Sequence, residues 1–167
     1  MKTLIVYYSL EGNTDCAARA IAAALDGDLL RIEPEKAYPT GGFRKFFWGG
    51  KSAVMAERPR LKPYEFRPEP YGRIVFGFPV WAGNVTPPLR TFIRENLETL
   101  KGKRLAAFAC QSGAGAEKAL GRLRACLGAE RLEAELVLID PKDRPSGENQ
   151  ARLGAFCDRL SQGERGA

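Results

Sequence analysis

The sequence predicts a doubly wound α/β domain, a five-stranded parallel sheet with helices on both faces. Three observations carry that reading. Residues 74–78 (Ile74-Val75-Phe76-Gly77-Phe78) and 105–110 (Leu105-Ala106-Ala107-Phe108-Ala109-Cys110) are continuous apolar runs, the pattern of strands buried on both sides. Segments with helical spacing alternate with the runs, so each crossover must pack back onto the sheet with one handedness. The chain also begins with an apolar strand that breaks directly into a tight polar loop and a helix.

Each element has its own signal. Leu4-Ile5-Val6-Tyr7-Tyr8 is the first strand; Ala17, Ala18, Ile21, Ala24 and Leu25 follow helical spacing, and Asp26-Gly27 closes that helix. Leu29–Ile32 is a short second strand. Residues 36–70 form an extended crossover in which Phe43, Phe46, Phe47 and Met55 are expected to share one face of a helix, followed by a link through Pro59, Pro63, Pro68 and Pro70. After the third strand, Leu89, Phe92, Ile93, Leu97 and Leu100 define a helix with Pro87 and Pro88 in its first turn and Thr86 as candidate cap. Ala116, Ala119, Leu120, Leu123 and Leu127 define the next, ended by Gly128. Leu136–Ile139 is the fifth strand, and Leu153, Phe156, Cys157 and Leu160 mark the last helix.

Composition bounds the function. At 167 residues, 44% hydrophobic and 28% charged, the chain fits one domain over 1–167. No apolar run approaches the roughly 20 residues of a membrane span, and the start has no signal-peptide pattern, so a cytoplasmic address is expected. Cys16, Cys110, Cys126 and Cys157 never form CxxC and histidine is absent, which argues against a metal centre and for reduced, mostly buried thiols. A net charge of +6 favours acidic partners or anionic substrates, but the charges are dispersed.

The loop Ser9-Leu10-Glu11-Gly12-Asn13-Thr14 is the richest in chemistry. Amides at such a strand–helix junction lack intrahelical partners and sit at the positive end of the helix dipole, a ready phosphate site. Gly12 permits the turn, while Ser9, Asn13 and Thr14 add side-chain donors. No lysine or arginine lies in the loop, so neutral dipoles rather than charge are expected to hold the anion. The Gly-Lys-Ser/Thr triplet of a Walker loop and the GxGxxG of dinucleotide binders are both absent. The residues alone also fit a plain capped turn.

Tyr7-Tyr8-Ser9-Leu10-Glu11-Gly12-Asn13-Thr14 resembles the phosphate loop of the flavodoxin-like FMN-binding proteins, which usually carry Ser/Thr-x-Thr-Gly-Asn-Thr. Glu11 stands where the family has its middle threonine; it must point to solvent or lower phosphate affinity. The resemblance extends over essentially the whole chain and implies strand order 2-1-3-4-5, with FMN outside the carboxyl ends of the strands at the topological switch point. It implies cofactor residues in three loops: Ser9, Leu10, Glu11, Gly12, Asn13 and Thr14; Pro79, Val80, Trp81, Ala82, Gly83 and Asn84; and Gln111, Ser112, Gly113 and Gly115. Trp81 would stack on the ring unless it packs over the sheet edge, and amides near Ala82 and Gly83 would face flavin N5. The third loop would meet the pyrimidine edge, with Cys110 left in the core. Trp48 and its flanking glycines offer a second reading of the crossover, a flap over the flavin with Arg44, Lys45 and Lys51 meeting an anionic donor.

The resemblance implies a redox protein whose chemistry belongs to the cofactor. Its partner is then a redox protein, or NAD(P)H if the chain is a quinone or flavin reductase. A receiver domain would need acidic residues where the chain has Tyr7-Tyr8-Ser9, and a Cys-x5-Arg phosphatase loop fails because Ala116 stands six after Cys110. A nucleic-acid or protein binding module is a remote alternative, for no recognised module is visible. Acidic flavodoxins are the family norm. Positive charge near the flavin would draw the two reduction steps together, and the basic excess predicts this if it lies at the site.

Overall fold

The computed structural model describes residues 1–40 and 57–165. The expected helix face of Phe43, Phe46, Phe47 and Met55, and the Trp48 flap, lie outside the described residues. Five parallel strands, β1 (Thr3–Tyr7), β2 (Asp28–Arg31), β3 (Arg73–Pro79), β4 (Arg104–Gln111) and β5 (Glu135–Ile139), form one sheet in the order β2-β1-β3-β4-β5. Four helices accompany them among the described residues: α1 (Asn13–Leu25), α2 (Pro87–Leu100), α3 (Ala116–Leu127) and, after the last strand, α4 (Gly147–Arg165). No helix among the described residues is long and apolar enough to cross a membrane.

Strand alternation divides the core in two. Leu4, Val6, Ile74, Phe76, Phe78, Ala107 and Ala109 face α2 and α3, and Ile5, Tyr7, Val75, Ala106, Phe108, Leu136 and Leu138 face α1 and α4. The expected face of α1 is corrected at one position, since Ala24 is exposed and Ala22 is buried in its place. Thr86 stands at the N-cap of α2, but its hydroxyl makes no capping bond; Pro87 and Pro88 start the helix without it. Of the thiols, Cys110 and Cys157 are buried, Cys126 is half-buried and Cys16 is exposed, so burial is less general than expected.

The crossover from β2 to β3 is pinned at both described ends. Glu35 N–H donates to the Arg60 carbonyl and Lys62 N–H to the Glu33 carbonyl, each at 2.8 Å. Beyond that bridge, Tyr64 and Phe66 pack on Phe92 of α2 with ring centroids 5.3 and 5.1 Å away. The proline-rich link therefore lies along α2. At the end of the sheet where β3 begins, Arg73 is fully buried and donates two bonds of 2.8 Å to Glu133 and one of 2.8 Å to the Leu160 carbonyl. Arg104 reaches the same carboxylate at 2.7 Å and the Gly163 carbonyl at 2.8 Å. These two arginines latch α4 to the sheet.

Candidate functional site

At the opposite end, where β1, β3 and β4 terminate, the loops enclose a cleft of about 510 Å³. That volume suits a small organic ligand. Its walls come from three of the expected loops: Ser9, Leu10, Glu11, Asn13 and Thr14 after β1; Pro79, Val80, Trp81 and Ala82 after β3; and Ser112 and Gly113 after β4. Cys110, Ala114 and Asp140 also line it, and the sequence reading placed none of them there. Gly12, Gly83, Asn84, Gln111 and Gly115, from the same three loops, are not on the lining.

The first loop is built to leave donors open. Gly12 occupies the N-cap position of α1 at φ +97°, a conformation that favours glycine, and itself has no side chain to cap the helix. Ser9 Oγ accepts the Asp15 amide at 3.1 Å, which leaves the serine proton for another acceptor. Thr14 is 1% exposed, and its Oγ1 has no hydrogen-bond partner of good geometry; only the weakly bonding Cys110 thiol stands beside it. A buried hydroxyl in that condition is costly without an acceptor in the cleft. Burial pushes the Cys110 thiol up to about 12, so it is no nucleophile at neutral pH.

Asn13 does something the sequence did not signal. Its Oδ1 accepts the amides of Lys142 and Asp143 at 2.9 and 3.2 Å, and its Nδ2 donates to Asp143 Oδ2 at 2.9 Å. The side chain ties the first loop to the β5–α4 connection. Lys142 Nζ then reaches back to the Glu11 carbonyl at 2.8 Å, so a cation does stand at this loop, brought by tertiary structure. Glu11 itself is exposed.

The second loop is a two-residue turn. Trp81 N–H and O pair with Asn84 O and N–H at 3.4 and 3.0 Å, and Ala82 and Gly83 both have positive φ, +50° and +67°. This is the pattern of a type I′ turn. Arg122 Nη1 holds the Gly83 carbonyl at 3.2 Å, and a Cβ on Gly115 would come within 3.1 Å of Gly83 Cα, so the second and third loops are packed backbone to backbone. Trp81 lines the cleft while only 5% exposed, with the edges of Tyr8 and Tyr38 against it at centroid distances of 5.7 and 5.2 Å. Burial raises the pKa of both tyrosines, keeping them neutral.

The Gln111 side chain is turned into the third loop, where its Oε1 accepts the Ala116 amide at 2.9 Å and so serves the start of α3. Ser112 Oγ donates to Asp140 Oδ1 at 2.8 Å, and Arg144 Nη2 bridges the Ser112 carbonyl and Asp140 Oδ2 at 2.7 and 2.6 Å. Glu11 and Asp140 are the charged residues on the wall. Among the described residues Lys142, Arg144 and Arg31 stand just outside that wall, bonded to the Glu11, Ser112 and Ser9 carbonyls, so positive charge lies beside the cleft rather than on its lining.

Below the first loop, Asp15 accepts bonds from Tyr7 Oη at 2.6 Å and Arg19 Nε at 2.8 Å. Arg19 first, then Tyr7, holds its carboxyl below the ordinary 3.8 against the opposing effect of burial. Burial first, then Asp15, pushes the Tyr7 hydroxyl up to about 12 and keeps it a donor. A depressed carboxyl stabilises the fold above its unfolded pKa and ceases to do so as pH falls through the folded one. Asp15→Asn is therefore expected to lower the urea midpoint at neutral pH and to flatten its decline below pH 3.8, read from unfolding curves across pH.

The comparisons agree with this architecture. The flavodoxin family model matches residues 2–138. A Bacteroides eggerthii protein assigned as a flavoprotein is 24% identical, with 96% of this chain and 98% of that one covered at a TM-score of 0.77. A flavoprotein of Lactobacillus acidophilus, solved in complex with FMN, is 22% identical, covering 85% and 95% at 0.65. Two-electron reduced flavodoxin of Megasphaera elsdenii is 15% identical, covering 96% and 98% at 0.59.

Proposed function

Because the chain belongs to the flavodoxin family, we propose that it is an electron-transfer protein that works through non-covalently bound FMN and docks with a redox partner protein. The observation that carries the reading is Thr14 Oγ1: a buried hydroxyl without a good partner, on the cleft wall, in the first turn of a helix whose N-cap residue, Gly12, offers no capping side chain. That is the donor set a phosphate monoester requires. The FMN held by the similar Lactobacillus acidophilus flavoprotein supports the same ligand.

The residues fit the group. Ser9, Thr14 and the amides from Gly12 onward would hold the phosphate; Leu10, Val80, Trp81, Ala82 and Ala114 would enclose the ring; Ser112 and Gly113 would border its polar edge. Bound FMN supplies reversible one- and two-electron redox chemistry. The protein orients the ring and excludes water. It also sets the field, to which Glu11 and the Arg144-paired Asp140 on the wall and Lys142 beside the first loop contribute. The β3 turn, fixed by Arg122 and Gly115, keeps the second loop's backbone groups in one place.

Anaerobic reduction of the FMN-loaded protein, followed in the visible spectrum, tests this. Two resolved one-electron steps are expected. Failure to retain FMN would refute the cofactor, and a single two-electron step with turnover on NAD(P)H would replace the carrier with a reductase.

A further inference from the structure

Resting on the FMN reading, we propose that Lys142 is a specificity-determining residue. From the β5–α4 connection it supplies the charge that makes the cleft prefer a phosphorylated flavin to the same ring without phosphate. Its stem crosses the first loop, with Cδ 3.2 Å from where a Cβ on Gly12 would stand, and its Nζ is 2.8 Å from the Glu11 carbonyl. An ammonium has three donors; Glu11 takes one and Asp143 Oδ1, at 3.1 Å, another. The third remains for an anion at the amino-terminal end of α1, where the Thr14 hydroxyl also lacks a good partner.

The charge balance around the loop makes this cation matter. Glu11, Asp15 and Asp143 are acidic neighbours, and a phosphate would add to them. Arg31 also touches the loop, at the Ser9 carbonyl, but it extends from β2 and lies 3.5 Å from Asp15 and 3.4 Å from Glu33. Lys142 approaches from the opposite side of the sheet's switch point. Its backbone is fixed there by the Asn13 side chain, so the residue is aimed before any ligand arrives.

Flavin fluorescence titrations of the full chain, freed of flavin, provide the test with FMN and riboflavin as probes. Lys142→Met is expected to weaken FMN about five- to tenfold, a modest effect because the ammonium is half exposed, and to leave riboflavin within about twofold. Lys142→Arg should recover FMN binding, Lys101→Met at the far end of α2 should change neither flavin, and added salt should erode FMN affinity more in the parent than in Lys142→Met. Unchanged FMN affinity in Lys142→Met overturns the proposal. So does equal loss of both flavins, which would make the residue a structural brace, or an equal effect from Lys101→Met, which would make it a general field. A parent that binds neither flavin overturns the FMN reading and this inference together.

Discussion

Glu133→Ala is expected to destabilise the protein by about 3–5 kcal/mol, the cost of taking its carboxylate from a buried guanidinium. Arg73 is 0% exposed, and two of its nitrogens bond the Glu133 carboxylate. The Thr3 hydroxyl at 3.3 Å and the Leu160 carbonyl at 2.8 Å also accept from it, but both are neutral. Arg104 loses the same carboxylate. Urea unfolding reads the effect, and the double variant Arg73→Met with Glu133→Leu should recover most of the loss, because removing the whole pair also removes its desolvation cost. A loss below about 1 kcal/mol in Glu133→Ala would mean that water reaches the guanidinium and that the latch on α4 is weak.

Gly77→Ala is expected to cost about 2–3 kcal/mol through overpacking. A Cβ there would lie 2.1 Å from Phe108 Cζ and 2.5 and 2.8 Å from the two ring carbons beside it, in a parallel pair where Gly77 and Phe108 face each other. The ring cannot retreat, for Phe108 is fully buried beneath α1 and α4. In a Phe108→Leu background the alanine should be tolerated better, and a double-mutant cycle from thermal or urea unfolding measures that coupling. β3 runs on from Gly77 to Pro79 at the cleft, so ligand affinity is expected to fall with stability.

The strands were legible because burial on both faces leaves an uninterrupted apolar record, as in Ile74–Phe78. Strand order was not in the residues themselves; it came from resemblance, since crossover handedness fixes only which face each helix covers. Three of the loops that form the cleft announced themselves by glycine and small polar residues at strand ends. Asp140 did not, because it sits one residue after β5 and reaches the cleft through its bonds with Ser112 and Arg144. Lys142 was equally hidden. Its place at the first loop depends on Asn13, and no local pattern links positions 129 residues apart. Thr86 shows the converse, a residue of the right type in the right place whose hydroxyl makes no capping bond; Pro88 offers it no amide hydrogen, and the Leu89 amide goes unused by it.

The clasp between Asn13 and residues 142–143 also dictates when the site comes into being. The first loop emerges from the ribosome early, yet the backbone groups that hold its side chain belong to the connection after the last strand. During synthesis the amino-terminal half can pair β1 with β2 and β3, but the Asn13 side chain has no clasp to close until the connection after β5 has docked. A nascent chain halted before residue 142 would lack this clasp, and is expected to hold flavin more weakly than the full chain.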